Sequence, residues 1–199
     1  MEYRPLNKVT KQDLSVFELT VEFNLDIPNR RIYIDDDIDE RSVALALKGL
    51  HYLDQGTGPI QIMVNSGGGE VYGTGAIYDS IRSCKNETIT IGTGMVASAA
   101  GLLLVCGDYR FATPSCRFMA HEGMLHFEQD ETVAPSTMLG ELKQDEKLTD
   151  LWCDQMASHT AHGSKWWKDH SVKPKEDLWF NQKEMVYHGI IDGIWPIVN

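Results

Sequence analysis

The chain has 199 residues, 42% hydrophobic and 24% charged, which suits one domain with a filled core. Its net charge of −11 argues against nucleic acid as a partner, because phosphate binding wants a basic stripe. The longest nearly apolar stretch, Met95 to Cys106, is too short to span a bilayer and contains Ser98, so no membrane partner is expected.

The first residues, Met1-Glu2-Tyr3-Arg4-Pro5, carry no apolar run of the signal-peptide kind. Cys84, Cys106, Cys116 and Cys153 show no CxxC spacing. They read as reduced, mostly buried thiols of a cytoplasmic protein.

Residues 1–28 are mixed and polar, with Pro5 and Pro28, and read as an arm with little regular structure at its start. Residues 29–199 form the domain. Arg31 to Asp35 alternates like a strand. The acidic run Asp35 to Glu40 lacks the glycine and ligand pattern of a calcium loop, and reads as a turn plus charge at a helix start. Val43, Leu47 and Leu50 predict an amphipathic helix to about Leu53. Gln55 to Pro59 is a turn, and Ile60 to Val64 a buried strand.

Ile77, Ser80, Ile81 and Cys84 mark a helix face, and Glu87 to Gly92 another strand. Ser98 to Cys106 is apolar all round and predicts a central, covered helix. Strands alternating with helices imply βαβ units and parallel pairing, hence an α/β fold. A longer helix runs from Ser136 to Ser158, with Leu148, Leu151, Trp152 and Met156 on one stripe. Asn181 and Glu184 make a capping-box pattern for a last short helix ending at Gly189.

Chemistry concentrates in three segments. Ser98 lies among Ala97, Ala99 and Ala100 at a strand-to-helix junction, where a hydroxyl is exposed and a substrate backbone has room. A helix N-cap serine is the plain alternative. His121 ends the apolar strand Phe118-Met119-Ala120 and is placed to serve as a base, although such a histidine is also a common structural residue. Gly67-Gly68-Gly69 follows a strand without the residues of a phosphate loop, and reads as close approach of backbone to a bound chain. Nucleophile, base and amide donors are the parts of acyl transfer. His159, His162 and His170 match no standard zinc spacing, so no metal is expected.

These segments resemble the Clp protease proteolytic subunit (ClpP) family. The family's Asn-Ser-Pro-Gly-Gly stands here as Asn65-Ser66-Gly67-Gly68-Gly69, followed by Ile77-Tyr78-Asp79. Its Gly-x-Ala-Ala-Ser-Met-Gly stands as Gly94-Met95-Val96-Ala97-Ser98-Ala99-Ala100, and its histidine segment as Pro114 to Gly123. Its tail stands as His188-Gly189-Ile190-Ile191-Asp192.

The resemblance implies Ser98 as nucleophile, His121 as general base and acid, and Asp177, reached by counting back from the tail, as orienting acid. It also implies an oxyanion hole from Gly69 and Ala99, and substrate-binding backbone at Gly68, Gly123 and Met124, with no cofactor. The implied fold is a ClpP/crotonase-like βαβ spiral with a protruding helix-strand handle at about 123–160. The strand of that handle, Gly123 to Asp130, would pair with polypeptide substrate. Implied partners are further copies in stacked heptameric rings, and an AAA+ unfoldase.

The chain departs from the family in its N-terminal stretch, in Gln61 and Met63 where docking aromatics are usual, and in Glu122-Gly123 where Gln-Pro is usual. Those departures keep a second reading open, a non-catalytic ClpP-like ring subunit that regulates an active paralogue. A crotonase-type acyl-CoA enzyme shares the fold but needs no Ser–His–Asp set. A Ser–Lys dyad using Lys143 is a variant of the peptidase reading.

Overall fold

The computed structural model describes residues 11–123, 134–172 and 176–196. Among the described residues no helix is long and apolar enough to cross a membrane.

Helix α1 (Lys11–Phe23) occupies most of the described arm, and has Phe17 and Val21 each 65% exposed. Its sequence has helix formers but no apolar stripe, so periodicity did not reveal it. Strand β1 (Leu25–Asp26) turns back on β2 (Arg31–Ile34) as an antiparallel pair. Asp26 closes that turn by accepting from the amide and the side chain of Asn29.

Helix α2 (Glu40–Asp54) starts where the acidic run ends. Asp39 is the N-cap, its side chain accepting from the Ser42 amide at 2.7 Å while Ser42 Oγ accepts from the Asp39 amide. The acidic turn therefore works as a helix start, as its charge suggested.

Strand β3 (Ile60–Ser66) runs parallel to β2 and buries Ile60, Ile62 and Val64 completely. Burying a side chain of this type stabilises by about 1.5–3 kcal/mol. Helix α3 (Val71–Arg82) returns across the sheet and buries Gly73, Thr74, Ile77 and Ile81.

Strand β4 (Thr88–Ala97) pairs parallel with β3 along its length, then divides its other edge. Ile89 to Gly92 pair with β5 (Tyr109–Ala112), whereas Met95 to Ala97 pair with β6 (Arg117–Ala120). The fork falls at Gly94, which has φ +58°. A β-carbon there would stand 2.5 Å from Asn65 Oδ1, the atom that accepts from the Met95 amide.

Helix α4 (Ala100–Val105) is buried at every residue, as an all-apolar segment requires. Helix α5 (Pro135–His159) is long and mostly exposed, burying only Cys153 and Met156. The end of this helix and the C-terminal tail meet at Arg110. The Arg110 guanidinium donates to Asp192 at 2.5 Å, to the Gly189 carbonyl at 3.0 Å and to the His159 carbonyl.

Helix α6 (Ser164–Trp167) and a π-helical turn (Lys168–Val172) lead towards β7 (Leu178–Asn181). Trp167 is fully buried, edge-on to Trp152 at 5.7 Å, with its Nε1 donating to Thr160 Oγ1. Strand β7 pairs antiparallel with β6. Helix α7 (Gln182–Tyr187) carries the capping box of Asn181 and Glu184. Strand β8 (Gly193–Ile194) closes the sheet beside β5.

The result is a mixed α/β fold with a mostly parallel sheet, as the alternation of elements implied. Only β1·β2 and β6·β7 run antiparallel among the described strands.

Candidate active site

Three adjacent strands end side by side. Ser98 follows the last residue of β4, His121 follows the last residue of β6, and Asp177 precedes the first residue of β7. The ladder order is β4, β6, β7. The Ser98 amide donates to the Met119 carbonyl at 2.8 Å, which ties the β4 terminus to β6. The β6·β7 register ends at the pair Ala120 and Leu178, and one residue further on sets His121 opposite Asp177. Residues directly opposite in an antiparallel pair have their β-carbons about 4.5–5.5 Å apart.

Ser98 has φ +57°. A non-glycine residue in the left-handed region costs about 1–2 kcal/mol, so the turn is strained at the serine. The helix cap is Ala99, with no side-chain cap bond, so Ser98 is not the N-cap.

The glycine triplet is packed against this turn. A β-carbon on Gly68 would stand 2.7 Å from Ser98 Cβ and 2.9 Å from the Ala97 carbonyl oxygen. One on Gly69 would stand 2.4 Å from the Ile38 carbonyl oxygen. The close approach that calls for glycine is thus to the chain's own Ser98 and Ile38, where the sequence suggested a bound chain. Ile38 donates to the Gly68 carbonyl, and its own carbonyl accepts from the Glu70 amide, both at 2.8 Å. Alternation along an extended chain turns the intervening Gly69 N–H to the other side.

A cavity of about 400 Å³ opens at Ser98. Ser98, Ala99, His121 and Gly123 line it together. Opposite stand Val71 and Tyr72 of α3, and Asp145, Leu148 and Trp152 of α5. Tyr72 and α5 are also linked directly, with Gln144 Nε2 donating to Tyr72 Oη at 3.3 Å.

Asp177 is exposed beside this lining and not part of it, and Met124 lies outside the described residues. Among the described residues no hydrogen bond joins Ser98 to His121. Lys143 is exposed on α5 and does not line the cavity. Sequence reading missed Asp145, Thr149 and Val172, which line the cavity too. The first two share a face with Leu148 and Trp152 at helical spacing, a signal available only once the facing element is known.

The thiols are poor nucleophiles here. Burial pushes Cys84, Cys116 and Cys153 up to about 11, and Cys106 higher still. None is disulfide-bonded. His159, His162 and His170 each have a hydrogen-bond partner of their own. His159 Nε2 meets Tyr78 Oη at 2.9 Å, His162 pairs with His188, and His170 Nδ1 meets the Trp166 carbonyl.

The comparison with known proteins agrees with this architecture. The family model for Clp protease matches residues 22–197. The chain is 31% identical to the ATP-dependent Clp protease proteolytic subunit of Bacteroides thetaiotaomicron, covering 92% of this chain and 82% of that one. It is 30% identical to the protein of the same name from Porphyromonas gingivalis, covering 94% and 82%. It is 27% identical to ATP-dependent Clp protease proteolytic subunit 1 of Chlamydia muridarum, covering 84% and 87%. The chain belongs to the Clp protease family, and is a divergent member of it.

Proposed function

We propose that this chain is a serine endopeptidase that hydrolyses peptide bonds of unfolded polypeptides inside an oligomeric barrel. The observation that carries this reading is the row of adjacent strand ends at Ser98, His121 and Asp177, of which Ser98 and His121 line the cavity.

Ser98 Oγ attacks the scissile carbonyl while His121 takes its proton. Asp177 orients the imidazole and stabilises its charged form. The Gly69 and Ala99 amides receive the developing oxyanion, a role in which one lost donor costs about 10²–10³ in rate. His121 then returns the proton to the leaving amine, and water hydrolyses the acyl-enzyme by the reverse path. Gly68, Gly123 and Met124 bind the substrate backbone. The reaction needs no metal or organic cofactor.

The chain would assemble as stacked heptameric rings joined through the handle at about 123–160. Support comes from Met138, Leu139 and Leu142, which α5 leaves exposed. An AAA+ unfoldase partner is suggested by the word ATP-dependent in the relatives' names. Its docking would differ from the family habit, because Gln61 accepts from the Arg31 guanidinium at 2.9 Å and 3.1 Å on β2 and β3. A cytoplasmic setting accords with four unpaired thiols. We also place residues 1–28 as an arm that leads into the peptidase domain at 29–199 and joins its sheet through β1.

Intact mass after treatment with a fluorophosphonate tests this, on wild type and Ser98→Ala. One adduct on wild type, absent from the variant, is expected. Folded wild type without an adduct would refute the peptidase reading. It would favour the non-catalytic ring subunit.

A further inference from the structure

The cavity beside Ser98 has an uneven charge. Its walls at Leu102, Leu148, Leu151, Trp152 and Val172 are apolar. Among the described residues lining it, Asp145 and Asp79 are carboxylates, and no lysine or arginine is present. Asp145 belongs to α5 but reaches across to the segment after β6. A β-carbon on Gly123 would stand 3.1 Å from Asp145 Oδ1, and 3.7 Å from Thr149 Oγ1.

Glycine at position 123 therefore lets a carboxylate sit two residues from His121. A β-carbon there would make the carboxylate give by a few tenths of an ångström. Among the described residues Asp145 has no hydrogen-bond or ion-pair partner, although α5 carries Lys143 and Lys147 close by in sequence. A half-buried carboxylate against apolar walls attracts a cation more strongly than one in open water.

We propose that Asp145 is a specificity-determining residue, which selects substrates with a lysine or arginine side chain in this cavity. The methylene stem of such a side chain lies along the apolar wall while its charged tip meets the carboxylate. A glutamate in the same place would meet like charge. This rests on the peptidase reading of the site.

The test uses peptides identical except for arginine, leucine or glutamate at the residue that supplies the scissile carbonyl. Turnover is compared for wild type, Asp145→Asn and Glu146→Gln. The last variant removes the same charge from the same helix outside the cavity lining. The arginine-over-leucine ratio of kcat/KM should fall about fivefold in Asp145→Asn, the scale of a partly exposed charge pair. It should stay within twofold in Glu146→Gln. An unmoved ratio in Asp145→Asn, or an equal fall in both variants, would overturn the proposal.

Binding of the same peptides to Ser98→Ala, read by fluorescence anisotropy, separates the two claims. Selective binding of the arginine peptide, lost in the double variant with Asp145→Asn, would uphold Asp145 even if wild type turned nothing over. Turnover with an unmoved ratio would refute Asp145 alone.

Discussion

Gly68 and Ser98 are in backbone-to-side-chain contact, so close that a β-carbon on Gly68 would fall 2.7 Å from Ser98 Cβ. The glycine has φ +101° and the serine φ +57°. Each holds a conformation that ordinary residues avoid, and the two pack against one another. The strained turn is held from outside by the loop after β3.

Gly68→Ala is therefore expected to move Ser98 as well as to cost stability. Overpacking of this kind typically costs about 1–3 kcal/mol. Labelling of Ser98 by a fluorophosphonate should slow at least about tenfold, the effect of a nucleophile shifted from its productive position. Labelling at the wild-type rate would show that the contact does not position the serine.

Ser98→Gly should be more stable than Ser98→Ala. Both remove the hydroxyl, but only glycine accepts φ near +57° without strain. The difference should be about 1 kcal/mol, or roughly 2–4 °C in Tm for a chain of this size. Equal Tm values for the two variants would mean that the turn relaxes and stores little strain.

Asp177→Asn tests the register between β6 and β7. If Asp177 orients His121 in the proposed triad, kcat should fall by about 10²–10⁴ with little change in KM. Tm should barely move, because Asp177 is exposed. A loss of Tm that matches the loss of rate would assign the residue a structural part instead.

The protein should lose stability in mild acid. His162 Nε2 and His188 Nδ1 share a 2.6 Å hydrogen bond, and two imidazolium ions cannot make it. Trp166 stacks on His162 at 3.7 Å and on His170 at 4.3 Å. Burial is the main cause that holds His162 and His188 below their usual 6.5. The charge of His188 adds to this for His162, and His170 acts the same way on both. Glu184 works in the opposite direction on His188.

The folded state therefore prefers neutral rings, while the unfolded chain binds protons from 6.5 downward. The contribution is complete above that value and is lost as pH falls below it. Tm should drop between about pH 7 and pH 5, and His162→Gln should flatten the drop. Parallel Tm profiles for the two proteins would rule the cluster out as the cause.

Much of the fold was legible because burial leaves a local mark. The alternation in Ile60, Ile62 and Val64 gave β3, and the unbroken apolar run gave α4. The junction at Ser98 was legible for the same reason. The fork of β4 was not, since whether Gly92 or Met95 meets β5 or β6 depends on partners far along the chain. Asp145 was hidden in the same way. On α5 it is one acidic residue among several, and only the Gly123 backbone across the cavity distinguishes it. The proposed pairing of His121 with Asp177 came from resemblance, since a β6·β7 register that ends at Ala120 and Leu178 leaves no local mark in the sequence.

The forked β4 has a consequence for the order in which the molecule becomes competent. The leaf that joins β2 to β5 is complete by Ala112, long before β7 exists. The proposed third member of the triad arrives on β7, after the whole of α5 has been made. In chain order the Ser98 turn and its β6 neighbour therefore precede the strand that would complete the proposed triad. If the triad reading holds, the site would become complete only when the last strand closes the ladder.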